Sequence, residues 1–327
     1  MNLHLDNKTF LDIIDEVSNQ SGISRDIIEK DYYVTLILKE LFRSDKNYVF
    51  KGGTSLSKGY HLINRFSEDI DINYKDHSKL NRRKRKEIKY DLKDIVESSS
   101  LTISNFDKTR SNRDFNRYEI DYPKSFSSST ILKTDVMVEM AFQEESYPIE
   151  KVNIQSIIAE YLSSINQVDI IKQYNLESFE VTVQSYIRTF IDKLFAICDY
   201  YLSDNINEHS RHLYDLHKIY PLIKFDDDFY KLFNKVKKDR SKRSICLSAL
   251  SDKPISTLLK EIIGSNVYRL DYENRTSTLL MDDTKYEDTI SSLNSITKKD
   301  KTIIIKNLFK LMNKFFRCVR LVIWAMY

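Results

Sequence analysis

The sequence predicts an α+β protein, in which strands and helices mix over residues 1–150 and a helical domain follows over residues 151–327. Two observations predict this division. The clearest segments of alternating apolar and polar residues, the pattern of half-buried strands, lie before Pro148. After Pro148, apolar residues recur at spacings of about three and four, which is typical of amphipathic helices. With 41% hydrophobic residues, the chain can also bury a sizeable core.

The first elements are two helices. Phe10, Leu11, Ile14 and Val17 share one face at helical spacing. A second helix follows Ser24, because serine is a favoured N-cap residue and a long run with helical character comes directly after it.

The strands follow these helices. A short apolar run predicts a strand at residues 48–50, and alternation predicts strands at residues 68–74, 117–122 and 133–142. Residues 78–98 are predicted to form a strongly basic helix. In the second half, Tyr186, Phe190, Leu194, Ile197 and Tyr201 recur on one helix face, and we expect helices throughout.

Composition narrows the cellular setting. The three cysteines, Cys198, Cys246 and Cys318, are isolated and lack metal-ligand spacing, which fits a reducing cytosol and predicts a cytoplasmic protein. Residues 302–327 are apolar but carry Lys or Arg at every third or fourth position. They therefore predict an amphipathic helix docked on the protein's own core rather than a membrane span, which needs about 20 apolar residues.

Charge leaves two interpretations open. The net charge of +3 is nearly balanced, so the bulk charge does not indicate a nucleic-acid partner. Residues 82–86 and 235–243 are basic clusters, however. Such clusters either follow an RNA backbone or form ordinary solvated faces.

The glycines are unusually concentrated. The chain has five, and Gly52, Gly53 and Gly59 fall between a predicted strand and a predicted helix that starts at Thr54 or Ser55. Glycine lets the backbone approach a ligand closely, and the free N–H groups of a helix start can bind phosphate. The cluster therefore predicts a phosphate site, although a tight turn alone also favours glycine.

Acidic residues follow at strand spacing. Asp69 and Asp71 project to the same side of their strand, and two such carboxylates repel unless a cation neutralises them. Mg²⁺ prefers oxygen ligands completed by water and substrate phosphates. The pattern predicts a metal–phosphate site, with a solvated strand end as the alternative. A third acid comes from Asp135 or Glu139, and spacing alone does not choose between them.

These motifs resemble a known family. G-G-T-S-L followed by R-F-S-E-D-I-D is similar to the nucleotidyltransferase superfamily of DNA polymerase β type, and more narrowly to the AbiEii/AbiGii abortive-infection toxins. Five blocks in the family's order carry the resemblance: residues 28–38, 50–72, 136–142, 188–197 and 211–219. One departure is His212, where the family more often has aspartate.

The resemblance implies a set of site residues. It implies a nucleotidyltransferase core at 1–150, built on a mixed sheet flanked by helices, and a helical domain at 151–327 that completes the cleft. It selects Glu139 as the third acid and implies two Mg²⁺ ions held by Asp69, Asp71 and Glu139. The implied catalytic residues are Asp69, Asp71, Glu139, Lys193 and Asp215. The implied nucleotide-binding residues are Gly52, Gly53, Thr54, Ser55, Lys58, Ser67 and Lys193.

Three of these assignments have an alternative in which the residue takes no part in the reaction. Lys58 could equally be a solvated surface lysine. Lys193 borders an apolar stripe, so it either extends past core packing or reaches a triphosphate. Asp215 could simply form a helical ion pair with Arg211, four residues earlier.

The resemblance also implies a function. We expect a toxin of a bacterial toxin–antitoxin or phage-defence system that transfers a nucleotide from an NTP to RNA, most plausibly the 3′ end of a tRNA. The expected partners are the NTP, the RNA and an antitoxin from a neighbouring gene, with no membrane. The alternatives are transfer to a protein or small molecule, or a catalytically silent nucleotide-binding regulator.

Overall fold

The computed structural model describes residues 1–45, 47–75, 80–126, 133–142 and 145–299. The amphipathic helix predicted at residues 302–327 and Cys318 lie outside these described residues. The chain divides into two compact units. The first comprises Met1–Thr189 and Thr278–Asp282, and the second comprises Phe190–Ser277 and the chain from Asp283 onward.

A seven-stranded sheet lies at the centre of the first unit. Its strands are β1 (Tyr48–Lys51), β2 (Ile70–Tyr74), β3 (Thr102–Ile103), β4 (Phe115–Asp121), β5 (Val136–Ala141), β6 (Ile149–Ile154) and β7 (Phe179–Gln184). Their order across the sheet is β3-β4-β5-β2-β1-β7-β6. The β1–β7 and β2–β5 pairs are parallel and the other pairs are antiparallel, so the sheet is mixed as expected.

Helices accompany this sheet. They are α1 (Asn7–Ser21), α2 (Arg25–Ser44), α3 (Gly52–Lys58), α4 (Arg82–Ser98), α5 (Ile157–Ser164), α6 (Val168–Gln173) and the start of α7 (Tyr186–Leu202). Local sequence sets their ends. The Asp6 carboxylate accepts the Thr9 amide at the start of α1, and Gly22 ends that helix at φ +73°.

One face of the sheet is packed into the core. Alternate residues of the central strands are buried there, among them Ile70 and Ile72 of β2 and Val136, Val138 and Met140 of β5. The residues between them point to the opposite face. That alternation therefore places the acidic residues of β2 and β5 together on the other side of the sheet.

The second unit is helical in the described residues. After α7 it contains α8 (Arg211–Ile219), α9 (Asp227–Arg240), α10 (Leu247–Leu250), α11 (Ile255–Ser265), a helical stretch from Arg269 to Ser277 that includes a π-turn at Tyr272–Thr276, and a helix over residues 286–299. The Asp226 carboxylate caps α9 by accepting the Phe229 amide at 3.0 Å. No helix among the described residues is long and apolar enough to cross a membrane.

The expectation of helices alone after residue 150 is wrong, because β6 extends past that position and β7 lies entirely beyond it. Phe179, Val181 and Val183 alternate with polar residues, so β7 carries the same signal that predicted β4. The two compact units meet in the chain at Thr189–Phe190 rather than at residue 150.

Candidate active site

The structure places two predicted acids side by side. Asp71 on β2 is the direct register partner of Glu139 on the parallel strand β5. Asp69 directly precedes β2, two residues before Asp71. Asp135 precedes β5, and its carboxylate lies 3.7 Å from the Lys124 ammonium. The register therefore brings Glu139, rather than Asp135, beside Asp71.

The glycine turn packs directly against this pair. Gly52 has φ +79°, and a Cβ atom there would lie 1.9 Å from an Asp71 carboxylate oxygen. A Cβ at Gly53 would lie 2.6 Å from the Arg65 guanidinium and 2.7 Å from the Ser67 hydroxyl. Any side chain at either position would collide with these groups. The glycines are thus needed for close approach of the β1–α3 turn to Asp71, Arg65 and Ser67.

The hydroxyls of the turn are directed inward. Thr54 donates to the backbone carbonyl of Asp69 at 2.6 Å, and its oxygen lies 3.0 Å from the Ser67 hydroxyl. Ser55 donates to the carbonyl of Gly52 at 2.9 Å, and both side chains are buried. Both hydroxyls therefore hold the turn and the residue before β2 in place. The predicted phosphate contacts of Thr54, Ser55 and Ser67 stay predictions.

Basic side chains neutralise two of the acids. The Lys133 ammonium lies 2.8 and 2.9 Å from the two carboxylate oxygens of Asp69. The Arg117 guanidinium donates to one oxygen of Glu139 from Nε at 2.8 Å and from Nη2 at 2.7 Å. Sequence reasoning missed both residues. Arg117 could have been found, because the alternation of β4 points it to the same side of the sheet as its register partner Glu139.

A buried lysine supports the residue that precedes Asp69. Lys30 on α2 is fully buried and pairs with the Glu68 carboxylate. Burial lowers the pKa of the Lys30 ammonium, and the Glu68 charge opposes that effect. The adjacent Glu29 accepts the Ser125 amide at 2.9 Å, and burial raises the pKa of its carboxyl. The segment Glu29-Lys30-Asp31 of α2 therefore contacts the approach to Asp69 through Lys30.

The third residue of that segment engages Lys58. The Asp31 carboxylate pairs with the Lys58 ammonium and accepts the Ile157 amide at 2.8 Å. Each side chain of the ion pair is 8% exposed. Lys58 is thus a buried structural residue in this structure and not the solvated lysine of the alternative interpretation. Its predicted phosphate contact stays a prediction, which this ion pair does not support.

Two predicted residues of the second unit contact each other. The Lys193 ammonium lies 2.6 Å from an Asp215 carboxylate oxygen, with the side chains 7% and 0% exposed. His212 Nδ1 lies 3.3 Å from the same ammonium. Burial lowers the pKa of His212 well below 6.5, and the Lys193 and Arg211 charges lower it further. A neutral His212 can therefore accept a hydrogen bond from Lys193.

The first unit has the donor chemistry of a magnesium site without a closed cage. Within the described part of the chain, no three Asp, Glu, His or Cys side chains are gathered closely enough to hold a metal ion by themselves. Mg²⁺ is usually held by one or two carboxylates together with substrate phosphates. Both oxygens of Asp69 face a positive charge, the Lys133 ammonium, so this carboxylate is directed at a position where a cation can lie. These residues therefore fit a nucleotide-borne magnesium ion.

Comparison with known proteins identifies the family. A search of curated proteins found no match. Among solved structures, MenT4, a nucleotidyltransferase toxin from Mycobacterium tuberculosis H37Rv, is similar with a TM-score of 0.47 and 16% identity, covering 86% of this chain and 98% of that one. The family model described as nucleotidyl transferase AbiEii toxin, type IV TA system, matches residues 37–293. The chain therefore belongs to the AbiEii family of type IV toxin–antitoxin systems, as its motifs predicted, and is a nucleotidyltransferase.

Proposed function

We propose that this toxin is a Mg²⁺-dependent enzyme that transfers a nucleoside monophosphate from an NTP to RNA, with the 3′ end of a tRNA as acceptor. The observation that carries the proposal is that Asp71 lies in register with Glu139 on the neighbouring strand. Asp71 also follows Asp69 by two residues and packs against the glycine turn. Three carboxylates beside a turn that approaches so closely suit a metal-bound triphosphate.

Each acid has a proposed role. Asp69, Asp71 and Glu139 supply the carboxylate oxygens that would hold the metal. Bound Mg²⁺ polarises the phosphate under attack and makes the acceptor hydroxyl more acidic. Glu139 lies on the outer side of the trio, where Arg117 balances its charge in this structure. We assign it to the acceptor side of the reaction, as the resemblance implies.

Further phosphate contacts are proposed for the glycine turn and, separately, for Lys193. The hydroxyls of Thr54 and Ser55 are committed to the turn, so their proposed phosphate contacts come from backbone N–H groups of residues 53–55. Lys193 is the proposed phosphate-binding cation of the second unit. In this structure its ammonium is buried and paired with Asp215, as that of Lys58 is with Asp31, so this proposed contact rests on the family resemblance.

The RNA acceptor rests on analogy with the family rather than on charge. The basic residues 82–86 lie at the start of α4, and several are engaged in ion pairs with Asp45, Glu87 and Asp114.

Membership of a type IV system implies an antitoxin partner, and we propose that it is encoded next to this gene and that the pair acts in phage defence.

Labelled nucleotides test the proposal directly. The purified protein is incubated with total RNA, Mg²⁺ and NTPs labelled at either the α- or the γ-phosphate. We expect RNA to acquire the α-label only, Asp71→Asn to abolish labelling, and Asp121→Asn, an exposed acid at the end of β4, to leave it unchanged. Transfer of the γ-label, labelling of protein instead of RNA, or full activity of Asp71→Asn would contradict the proposal.

A further inference from the structure

Lys133 makes a contact that the proposed reaction does not use. Its ammonium lies within hydrogen-bond distance of both carboxylate oxygens of Asp69, at 2.8 and 2.9 Å. A metal ion on Asp69 needs those same oxygens. The Lys133 side chain is 40% exposed and that of Asp69 is 14% exposed, so the pair is open to solvent on the lysine side.

The backbone of Lys133 is fixed although its side chain is open. The buried Lys30 ammonium donates to the Lys133 carbonyl at 2.5 Å and also pairs with Glu68. The Lys133 amide in turn donates to the Glu68 carboxylate at 3.2 Å. These three contacts form a closed ring between α2, the residue before Asp69 and the approach to β5. The ring holds Lys133 next to Asp69 whichever partner its ammonium takes.

We propose that Lys133 occupies the metal position at Asp69 in the nucleotide-free protein and moves to the triphosphate when the metal–nucleotide complex binds. This inference rests on the proposed function. Two cations cannot share the same two oxygens without strong repulsion, so binding of one releases the other. A solvent-exposed ion pair is weak and easily exchanged, whereas a charge-assisted bond to phosphate is stronger. The exchange is therefore more favourable when the metal arrives with phosphate.

The exchange predicts opposite effects on two affinities. Lys133→Met removes the competing cation, so we expect the nucleotide-free protein to bind Mn²⁺ roughly two- to fivefold more tightly. The same variant loses a phosphate contact, so we expect it to bind NTP in the presence of Mg²⁺ roughly ten- to a hundredfold more weakly. A purely structural role for Lys133 would not move the two affinities in opposite directions.

Mn²⁺ binding is measured by loss of the electron paramagnetic resonance signal of the free ion, and NTP binding is measured by calorimetry. Lys133→Arg keeps the positive charge and should retain most of the wild-type behaviour in both. Lys124→Met is the matched control, because it removes the same charge from a nearby lysine. Lys124 pairs with Asp121 and Asp135 rather than with Asp69. It should change neither affinity, and thermal unfolding should show all three variants to be folded.

The outcomes separate this inference from the proposed function. Tighter Mn²⁺ binding with weaker NTP binding in Lys133→Met supports the exchange. If Lys133→Met leaves either the Mn²⁺ affinity or the NTP affinity unchanged, the exchange is overturned. The proposed metal site still stands in that case if Asp69→Asn no longer binds Mn²⁺. If wild type and Asp69→Asn bind Mn²⁺ equally, with or without NTP, the proposed metal site itself fails and the exchange fails with it.

Discussion

The two units each contain a lysine–aspartate pair that includes a predicted catalytic residue, and the two pairs differ in burial. The side chains of Lys133 and Asp69 in the first unit are 40% and 14% exposed. Those of Lys193 and Asp215 in the second unit are 7% and 0% exposed. An exposed pair gains little and exchanges easily, whereas breaking a buried pair leaves a charge without solvent. The first pair is therefore suited to the exchange that we propose, and the second pair is suited to holding its lysine in a fixed position.

Breaking the buried pair should have the largest effect on stability. Asp215→Ala leaves the Lys193 ammonium buried without its carboxylate, and we expect the free energy of unfolding in urea to fall by about 3–5 kcal/mol. Asp69→Ala, which breaks the exposed pair, should lower it by less than about 1 kcal/mol.

The double variant Lys193→Met/Asp215→Leu provides the control. It removes both buried charges and should unfold at a higher urea concentration than Asp215→Ala. Equal destabilisation by Asp69→Ala and Asp215→Ala would remove the distinction between the two pairs.

The second unit should also lose stability at acid pH, because His212 lies beside the buried Lys193–Asp215 pair. Because its pKa in the folded protein lies below 6.5, the unfolded chain takes up a proton that the folded protein does not as pH falls below that value. The free energy of unfolding should therefore decrease between about pH 7 and about pH 5, by up to about 1.4 kcal/mol per pH unit from this group. The measurement is urea unfolding across this range.

His212→Asn removes only this contribution and should give a smaller decrease than wild type. Burial also lowers the pKa of the neighbouring His209, so the comparison is repeated in a His209→Asn background. Glu29, further away, is present in all the proteins compared. Identical pH dependence in the two proteins would show that His212 is not held neutral beside Lys193.

The smallest effect is expected at Arg117. Its side chain is 53% exposed, and its pair with Glu139 is a surface ion pair between neighbouring strands. Arg117→Met should lower the free energy of unfolding by about 0.2–1 kcal/mol, and 1 M NaCl should reduce the difference from wild type. Lys151→Met, which breaks the exposed pair with Glu180 across β6 and β7, is the matched control. A loss as large as that of Asp215→Ala would show that the fold depends on Arg117 and that its pair with Glu139 is not a weak surface pair.

Local patterns in the sequence were sufficient for much of the sheet. Alternation found β2, β4 and β5, and a short apolar run found β1, whose first three residues are all buried. The family resemblance selected Glu139 over Asp135, and the structure places Glu139 in register with Asp71. The glycine cluster was also informative, since Gly52 has both a positive φ and no room for a side chain.

Other features depend on contacts between distant parts of the chain. Asp31 pairs with Lys58, 27 residues away, and Lys30 bonds the Lys133 carbonyl, 103 residues away. Spacing along the sequence does not predict contacts between residues so far apart. The sequence therefore gives no sign of the ion pair of Lys58 or of the contacts of Lys133. The pairing of Lys193 with Asp215 was likewise hidden, because helical spacing suggested Arg211 as the partner of Asp215.

The central claim is that Asp69, Asp71 and Glu139 form one metal–nucleotide site. The most direct test compares initial rates of α-label transfer to RNA by Glu139→Ala and Asp135→Ala at saturating Mg²⁺. Metal-ion stabilisation is worth several kcal/mol, so we expect Glu139→Ala to lose on the order of a hundredfold or more. Asp135→Ala should stay within about threefold of wild type, because Asp135 contacts Lys124 at the edge of β5. Equal losses, or a larger loss in Asp135→Ala, would contradict the account.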